Sequence, residues 1–373
     1  MAPLRMLHLV GSATNDFYAE LSLLYARDCL TKLTHTSSST SSQSSRYIHL
    51  IAYITPDRRW RFPPSLRQAD IASAESYMLS DAVRMLALQQ IDFALPQMFC
   101  LPGMTEYRAL LQLLQIPYVG NLPAQMAIAA DKAKAKAIVA AAGVKVPKGE
   151  CLTRGDQPTI TPPVIVKPNS ADNSFGVTLV KKTEDYAEAL EKAFAHSENV
   201  IVEEFIPLGR EVRCGVIDFG EDTDELLCLP LQEYALDTSL MPIRTFENKL
   251  IRDEKNNLDY RSKDAGHSWI VSPDDPDMPL VWKAARQCHY ALGCRHYGLF
   301  DFRIDPSGQP WFIEAGLYCS FSPKSVLTSM AAAAGTPLET FFDQAVAACL
   351  ASSAEQPVSD TDAYGATEYA VFA

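Results

Sequence analysis

FDFRIDPSGQPWFIEAG, residues 300–316, reads as two strands around a tight turn. In the first arm Phe300, Phe302 and Ile304 alternate with Asp301, Arg303 and Asp305; in the second, Trp311 and Ile313 alternate with Phe312 and Glu314. Strand side chains change face at each residue, so each arm carries one apolar row. Asp305-Pro306-Ser307-Gly308 supplies the turn, with proline second and glycine fourth. Closing the hairpin about it puts Asp301 opposite Glu314, or one pair away, on one face. Like charges across a ladder repel. Either a solvated sheet face carries two acids, or the pair is a set of oxygen ligands for a hard divalent cation, which reverses the sign of the interaction.

The chain around this hairpin has 373 residues, enough for two or three domains. A hydrophobic fraction of 47% marks an ordinary globular protein, and a net charge of −12 argues against nonspecific nucleic-acid binding. Its 9 cysteines include no CxxC pair, the usage of a reducing compartment with free thiols. No run approaches the ~18 apolar residues of a membrane span. The apolar start reads as a first β-strand rather than a signal peptide. A cytoplasmic protein with neither membrane nor nucleic-acid partners is expected.

In the first third, strands and helices alternate. LRMLHLVG and RYIHLIAYIT are strands with a helix over 18–34 between them; DFALPQM is a third and IPYVG a short fourth, after a helix near 103–115. That alternation predicts a parallel sheet with helices on both faces. THTSSSTSSQSS, residues 34–45, is a polar low-complexity loop. Neither GxGxxG after the first strand nor GxxxxGK[ST] anywhere is present. A second unit opens with PAQMAIAADKAKAKAIVAAAG, one helix stopping at Gly143, and continues through strands PVIVKP and GVTLV, a helix capped by Thr183, and strand VIVEEF. The third holds strands REVRCGVID and LLCLPLQEY, a polar excursion to Asp277, a helix over 280–292 and the hairpin. It ends in one helix started by Ser322 and Pro323 and another by the capping box TPLE. The expected boundaries are 1–121, 122–205 and 206–352, with a polar tail over 353–373 and a cleft between the last two units.

Candidate chemistry lies along that cleft. Lys167 ends an apolar strand just before the loop NSADNSFG, whose backbone N–H groups can turn toward an anion beside the lysine charge; an ordinary hairpin loop is the competing reading. Lys132, followed by Lys134 and Lys136 on an Ala-rich helix, has a solvated face as its plain reading. Glu203 and Glu204 close a buried strand and suit a polar ligand edge, and Glu211 a sugar hydroxyl. None of these is specific alone. Their order is.

A lysine helix, VIVKP with a polar loop and Gly176, VIVEEF…GREV, a later lysine, then DFRID…FIEA resembles the ATP-grasp superfamily, in its D-alanine–D-alanine ligase branch, over residues 4–350. The resemblance implies an α/β ATP-grasp fold: an N-terminal parallel-sheet domain and two α+β subdomains clamping ATP. It puts Lys132 and Lys167 on the ATP phosphates and the Asn173, Ser174, Phe175, Gly176 loop over the β and γ phosphates. Glu203, Glu204, Phe205 and Ile206 would hold adenine and Glu211 the ribose. Lys249 would reach the phosphates as an ATP-binding and catalytic lysine. Asp301 and Glu314 would bind Mg2+, which neutralises charge developing in phosphoryl transfer. The cation that the hairpin acids need is then the one accompanying ATP.

The chain departs from that branch at three places. Where D-alanine–D-alanine ligases have an Asn two residues after the metal-binding Glu, Gly316 stands; where an Arg precedes the metal-binding Asp by two, Leu299 stands. The N-terminal Glu holding the first D-alanine has no counterpart in GSATNDFYAELS. LHLVGSATNDFY, YITPDRRWRFPPSL, LPQMFCLPGMTEYRAL, ALGCRHYGLFDFRID and EAGLYCSFSPKSV are similar to the mycosporine-glycine–amino acid ligases of mycosporine-like amino acid biosynthesis. There ATP activates a ring ketone, and the amine of serine, threonine or glycine adds to give an imine. Mycosporine-glycine and an amino acid are the implied partners, a homodimer the implied assembly. No tetrahedral acyl-phosphate adduct need form, so the usual Arg is dispensable. Cations for the substrate carboxylates are Arg303, also a catalytic candidate, Arg213 and Lys324, each with a structural ion pair as the competing reading. Tyr318, Ser320 and Ser322 line the second-substrate segment. A D-alanine–D-alanine-like dipeptide ligase is the alternative, and a non-catalytic nucleotide-binding protein a third. His289 and His296 read as structural.

Overall fold

A computed structural model describes residues 2–35, 46–171, 174–220, 226–236, 243, 250–252, 258–260 and 267–354. The expectations for Asn173, for Lys249 and for most of the 34–45 loop and the tail lie outside the described residues.

The first unit is built on β1 (Leu4–Gly11), β2 (Tyr47–Ile54), β3 (Trp60–Arg61) and β4 (Phe93–Pro96), in the order β3-β2-β1-β4. β1 pairs in parallel with both β2 and β4, and β3 is an antiparallel edge. α1 (Asp16–His35) crosses between β1 and β2, followed by α2 (Gln68–Ser73) and α3 (Leu79–Leu88). The expected fourth strand IPYVG is reduced to a single parallel bridge between Ala94 and Tyr118. The expected helix near 103–115 is two: α4 (Leu101–Met104) and α5 (Glu106–Leu113), separated at Thr105, whose backbone is not helical.

The Ala-rich helix is also broken in two, at Asp131. α6 (Pro123–Ala130) ends there and α7 (Lys132–Ala141) begins, with the Asp131 carboxylate accepting from the Lys134 N–H at 3.0 Å. An aspartate cap supplies an acceptor for a helix-start donor, and here it outweighs the uninterrupted helix propensity of the alanines. The restart gives α7 its own axis, and its first residue Lys132 meets the backbone of Asn169.

A small antiparallel sheet of order β5-β8-β6-β7 follows, from β5 (Gly149–Thr153), β6 (Val164–Pro168), β7 (Thr178–Val180) and β8 (Asn199–Glu204), backed by α8 (Tyr186–Phe194). Thr183 does not cap α8; it opens a short 3-10 turn ahead of it. The larger sheet contains β9 (Arg210–Asp218), β10 (Leu227–Cys228), β11 (Gln232–Tyr234), β14 (Ser268–Ile270), β15 (His296–Ile304) and β16 (Pro310–Ala315). β12 (Leu250–Arg252) and β13 (Leu258–Tyr260) form a separate hairpin. α9 (Met278–Ala291) packs on the larger sheet; α10 (Val326–Ala333) and α11 (Leu338–Ala354) close the described chain.

Packing does not follow sequence order. Met126, Ala129, Ala135 and Val139 of α6 and α7 share a buried cluster with Val212, Phe300 and Phe312, so residues expected in the central unit pack in the core of the third. Phe341 and Phe342 of α11 share another with Met6, Phe93 and Leu95 of the first sheet. Among the described residues no helix is long and apolar enough to cross a membrane.

Candidate active site

The small sheet and the β9-β15-β16 face enclose an open cleft with about 750 Å³ of empty space, apolar at Ile165, Val177, Ile206 and Ile313 and charged at Lys132, Lys167, Asp301 and Glu314. Asp301 lies directly opposite Glu314. The register set at the turn pairs Phe302 with Phe312, and a bulge then leaves Ile313 unpaired and brings Asp301 opposite Glu314. Phe312 therefore enters the core, while Ile313 and Glu314 both line the cleft. One extra residue reconciles an apolar row with a carboxylate two positions on.

Each acid has a cation. Both Asp301 oxygens contact Arg213, at 2.7 Å and 2.9 Å. Arg213 sits on β9 opposite Asp301 and holds its ring-planar charge 5.5 Å from the Tyr234 ring centroid. Burial opposes the guanidinium charge, but Asp301 beside it keeps that group well above its ordinary range. Glu314 lies 3.7 Å from Lys132. Like-charge repulsion across the ladder is thus offset by protein cations. The pair also fits magnesium: Mg2+ is held by one or two carboxylates plus phosphate oxygens, not by an all-protein cage. No group of three or more His, Cys, Asp or Glu side chains that could hold a metal ion occurs among the described residues.

Two lysines, Lys132 and Lys167, line the cleft, and Lys136 stands behind Lys167 and Glu203. Lys132 donates to the Ala171 carbonyl at 2.6 Å, which ties α7 to the loop after β6. Lys167 reaches Glu203 at 2.7 Å, and Lys136 reaches the other Glu203 oxygen at 2.8 Å. Lys136, expected on a solvated face, is buried. It stands one helical turn beyond Lys132, on the same inward face, whereas the intervening Lys134 points outward onto Asp131. That spacing was the signal in the sequence for a second inward lysine. Burial opposes the Glu203 charge, yet Lys136 and Lys167 hold its carboxyl below the ordinary range. Glu203 is committed to lysines rather than offered to adenine through a free carboxylate.

Glu204 accepts from the Lys148 N–H at 3.0 Å, and the Phe205 N–H is used by the Pro163 carbonyl. Arg303 was expected to be a carboxylate anchor. It is instead buried against Glu211 at 2.7 Å, the Ile206 carbonyl at 3.2 Å and the Phe205 ring at 5.3 Å. Its reach is spent on fixing neighbouring groups. Ser174 and Phe175 line the cleft, and Gly176 takes φ 68°, where an added Cβ would lie 3.0 Å from the Lys192 carbonyl. Phe175 makes an edge contact with Phe17 of α1 at 5.6 Å and stacks on His196 at 5.4 Å.

The 318–322 segment is tied to the first unit. Phe99 meets Tyr318 at 5.3 Å, Gln97 donates to the Ser320 carbonyl at 2.9 Å, and Ser322 donates to Asp28 at 3.3 Å. Phe17, Gln97 and Phe99 lie in stretches quoted above for a strand or for family resemblance, and no local pattern marks them or Asp28 as supports of this segment. Lys324 is exposed and precedes the helix it was expected to start, because α10 begins at Val326. His289 and His296 are buried away from the cleft lining.

Comparison with known proteins gives this geometry a context. The profile of the family described as D-ala D-ala ligase C-terminus matches residues 146–347. A D-alanine–D-alanine ligase of Halalkalibacterium halodurans is 33% identical over 246 residues, which span 63% of this chain and 73% of the relative. The crystal structure of the VanG D-Ala:D-Ser ligase from Enterococcus faecalis superposes with a TM-score of 0.73 at 22% identity, covering 93% of this chain and 99% of that one. A Bacillus anthracis D-alanine–D-alanine ligase complexed with ATP superposes with a TM-score of 0.68 at 21% identity, covering 95% and 99%.

Proposed function

The chain belongs to the D-ala D-ala ligase C-terminus family, and from that premise we propose that this ATP- and magnesium-dependent ligase joins an amino acid to mycosporine-glycine through a C–N bond. Supporting this reading is one observation beside the acid pair. Leu299, where D-alanine–D-alanine ligases carry an Arg, is buried among Tyr297, Phe321 and Leu327. Its carbonyl accepts from the N–H of Gly316, where those ligases carry an Asn. Position 299 therefore offers no cation to a tetrahedral acyl-phosphate oxyanion, the charge that peptide-bond formation must stabilise.

The chemistry balances without that oxyanion. The ring oxygen of mycosporine-glycine takes the γ-phosphoryl group of ATP, breaking the bond to ADP. The amino-acid amine attacks the ring carbon, phosphate leaves with the C–O bond pair, and the amine gives up its protons to leave an imine. Magnesium, held by Asp301, Glu314 and phosphate oxygens, would spread the charge of the transferring group. On this reading Lys132, Lys167 and the 174–176 turn bind phosphates, Ile206 and its neighbours the adenine, and Glu211, fixed by Arg303, the ribose. Arg213 and the 318–322 segment receive the carboxylate-bearing substrates. The three units divide near residues 121 and 205.

A second reading, a D-alanine-type dipeptide ligase, is favoured by the names of relatives such as the D-alanine–D-alanine ligase and the D-Ala:D-Ser ligase above. ADP release separates the two. Purified enzyme with MgATP is given D-alanine with D-alanine or D-serine, and separately mycosporine-glycine with serine. Turnover only in the second mixture is expected; turnover only in the first would replace this proposal with the dipeptide ligase.

A further inference from the structure

We infer that Lys136 is a positioning residue for the phosphate end of the cleft, acting through Glu203 and Lys167 rather than on the nucleotide itself. The inference rests on the nucleotide-binding reading above. Lys167 and Glu203 line the cleft, and Lys136 stands behind them. If Glu203 were paired with Lys167 alone, the two would form a neutral pair and Lys167 would offer an incoming phosphate little net charge. Lys136 occupies the second Glu203 oxygen at 2.8 Å, so the three side chains together retain a positive charge. A weaker contact to the Phe312 carbonyl at 3.5 Å holds Lys136 against β16, the strand that carries Glu314.

The charge of this group is adjustable. Burial pushes the Lys136 ammonium down to about 8, against the pull of Glu203 from β8 and with the opposition of Lys167 from β6; Glu314 from β16 adds a smaller favourable field. Below that pH the cluster attracts an anion, and above it the attraction fades.

The test is MgADP binding by titration calorimetry at pH 7 and pH 9 for the wild type, Lys136→Met and Lys136→Arg. One charge removed behind the phosphate site is expected to weaken binding about 10-fold at pH 7, a field of roughly 1.4 kcal/mol across a partly screened interior. The wild type should lose affinity between pH 7 and pH 9, Lys136→Met should be weak at both, and Lys136→Arg should stay tight at both, because guanidinium does not titrate there. If Lys136→Met fails to fold, the arginine variant decides: a fall in affinity equal to the wild type's would overturn the inference. So would a methionine variant that binds like the wild type with the pH dependence intact. A wild type that does not bind MgADP at all would refute the nucleotide reading itself, and the inference with it.

Discussion

Replacing Glu203 by Gln removes the one anion between two buried lysines. Lys167 and Lys136 approach its two oxygens at 2.7 Å and 2.8 Å. Removing one partner of a buried ion pair costs ~3–5 kcal/mol, because the remaining charge keeps its desolvation penalty. Here that penalty has an outlet. With Lys136 already lowered to about 8, shedding its proton at pH 7 costs at most about 1.4 kcal/mol. The expected loss is therefore about 3 kcal/mol, at the low end of the range. The sign with pH follows. A lysine whose folded pKa lies below its unfolded value binds fewer protons when folded, so stability rises with pH from the folded to the unfolded pKa. Losing Glu203 lowers the folded value further, so the variant starts to recover stability at a lower pH, and its deficit is smaller at pH 9 than at pH 7. Urea unfolding at both pH values measures this. A deficit below about 1 kcal/mol at pH 7, or one that widens at pH 9, would refute the reasoning.

Three other perturbations bear on the site. Asp301→Asn removes a carboxylate proposed for the metal and leaves Arg213 without its charge partner; turnover is expected to fall by ~100-fold or more, and wild-type rates in a magnesium titration would contradict it. Gly316→Asn is expected to fold with less than about 1 kcal/mol of change, since an added Cβ meets nothing nearer than the Leu299 carbonyl at 3.9 Å; thermal unfolding checks this, and a collapse in stability would show that the glycine is required by space. Phe175→Ala removes the edge contact to Phe17 and the stack on His196. Aromatic pairs are worth about 0.5–1.5 kcal/mol each beyond area, so the KM for ATP should rise several-fold, and an unchanged KM would mean that the turn is held elsewhere.

Much of the fold was legible because its strands follow strict periodicities. β1, β2, β6, β8 and β9 fall where apolar runs stand between breakers. The acid pair was legible to within one position, since the turn fixes the register only as far as the bulge that brings Asp301 opposite Glu314. The misses have local causes. Asp131 interrupts a run of alanines, and propensity alone reads through an aspartate that side-chain capping turns into a boundary. The bulge at Ile313 is invisible to alternation, which assumes an unbroken ladder. Lys136 looks like a surface cation in sequence, and for Arg303 the sequence leaves a substrate cation and a structural ion pair both open. Only the third dimension shows that their partners, Glu203 and Glu211, arrive from other strands. The aromatic and polar supports of the 318–322 segment lie more than 200 residues away in the chain, beyond any local pattern.

An ultraviolet absorbance scan of the purified enzyme with mycosporine-glycine, MgATP and a panel of amino acids tests the central claim most directly. A red-shifted band that requires both ATP and an amino acid, and grows in step with ADP, is the predicted result, because a conjugated imine replaces the ring ketone. An unchanged spectrum across the panel from enzyme that releases ADP with D-alanine alone would contradict it.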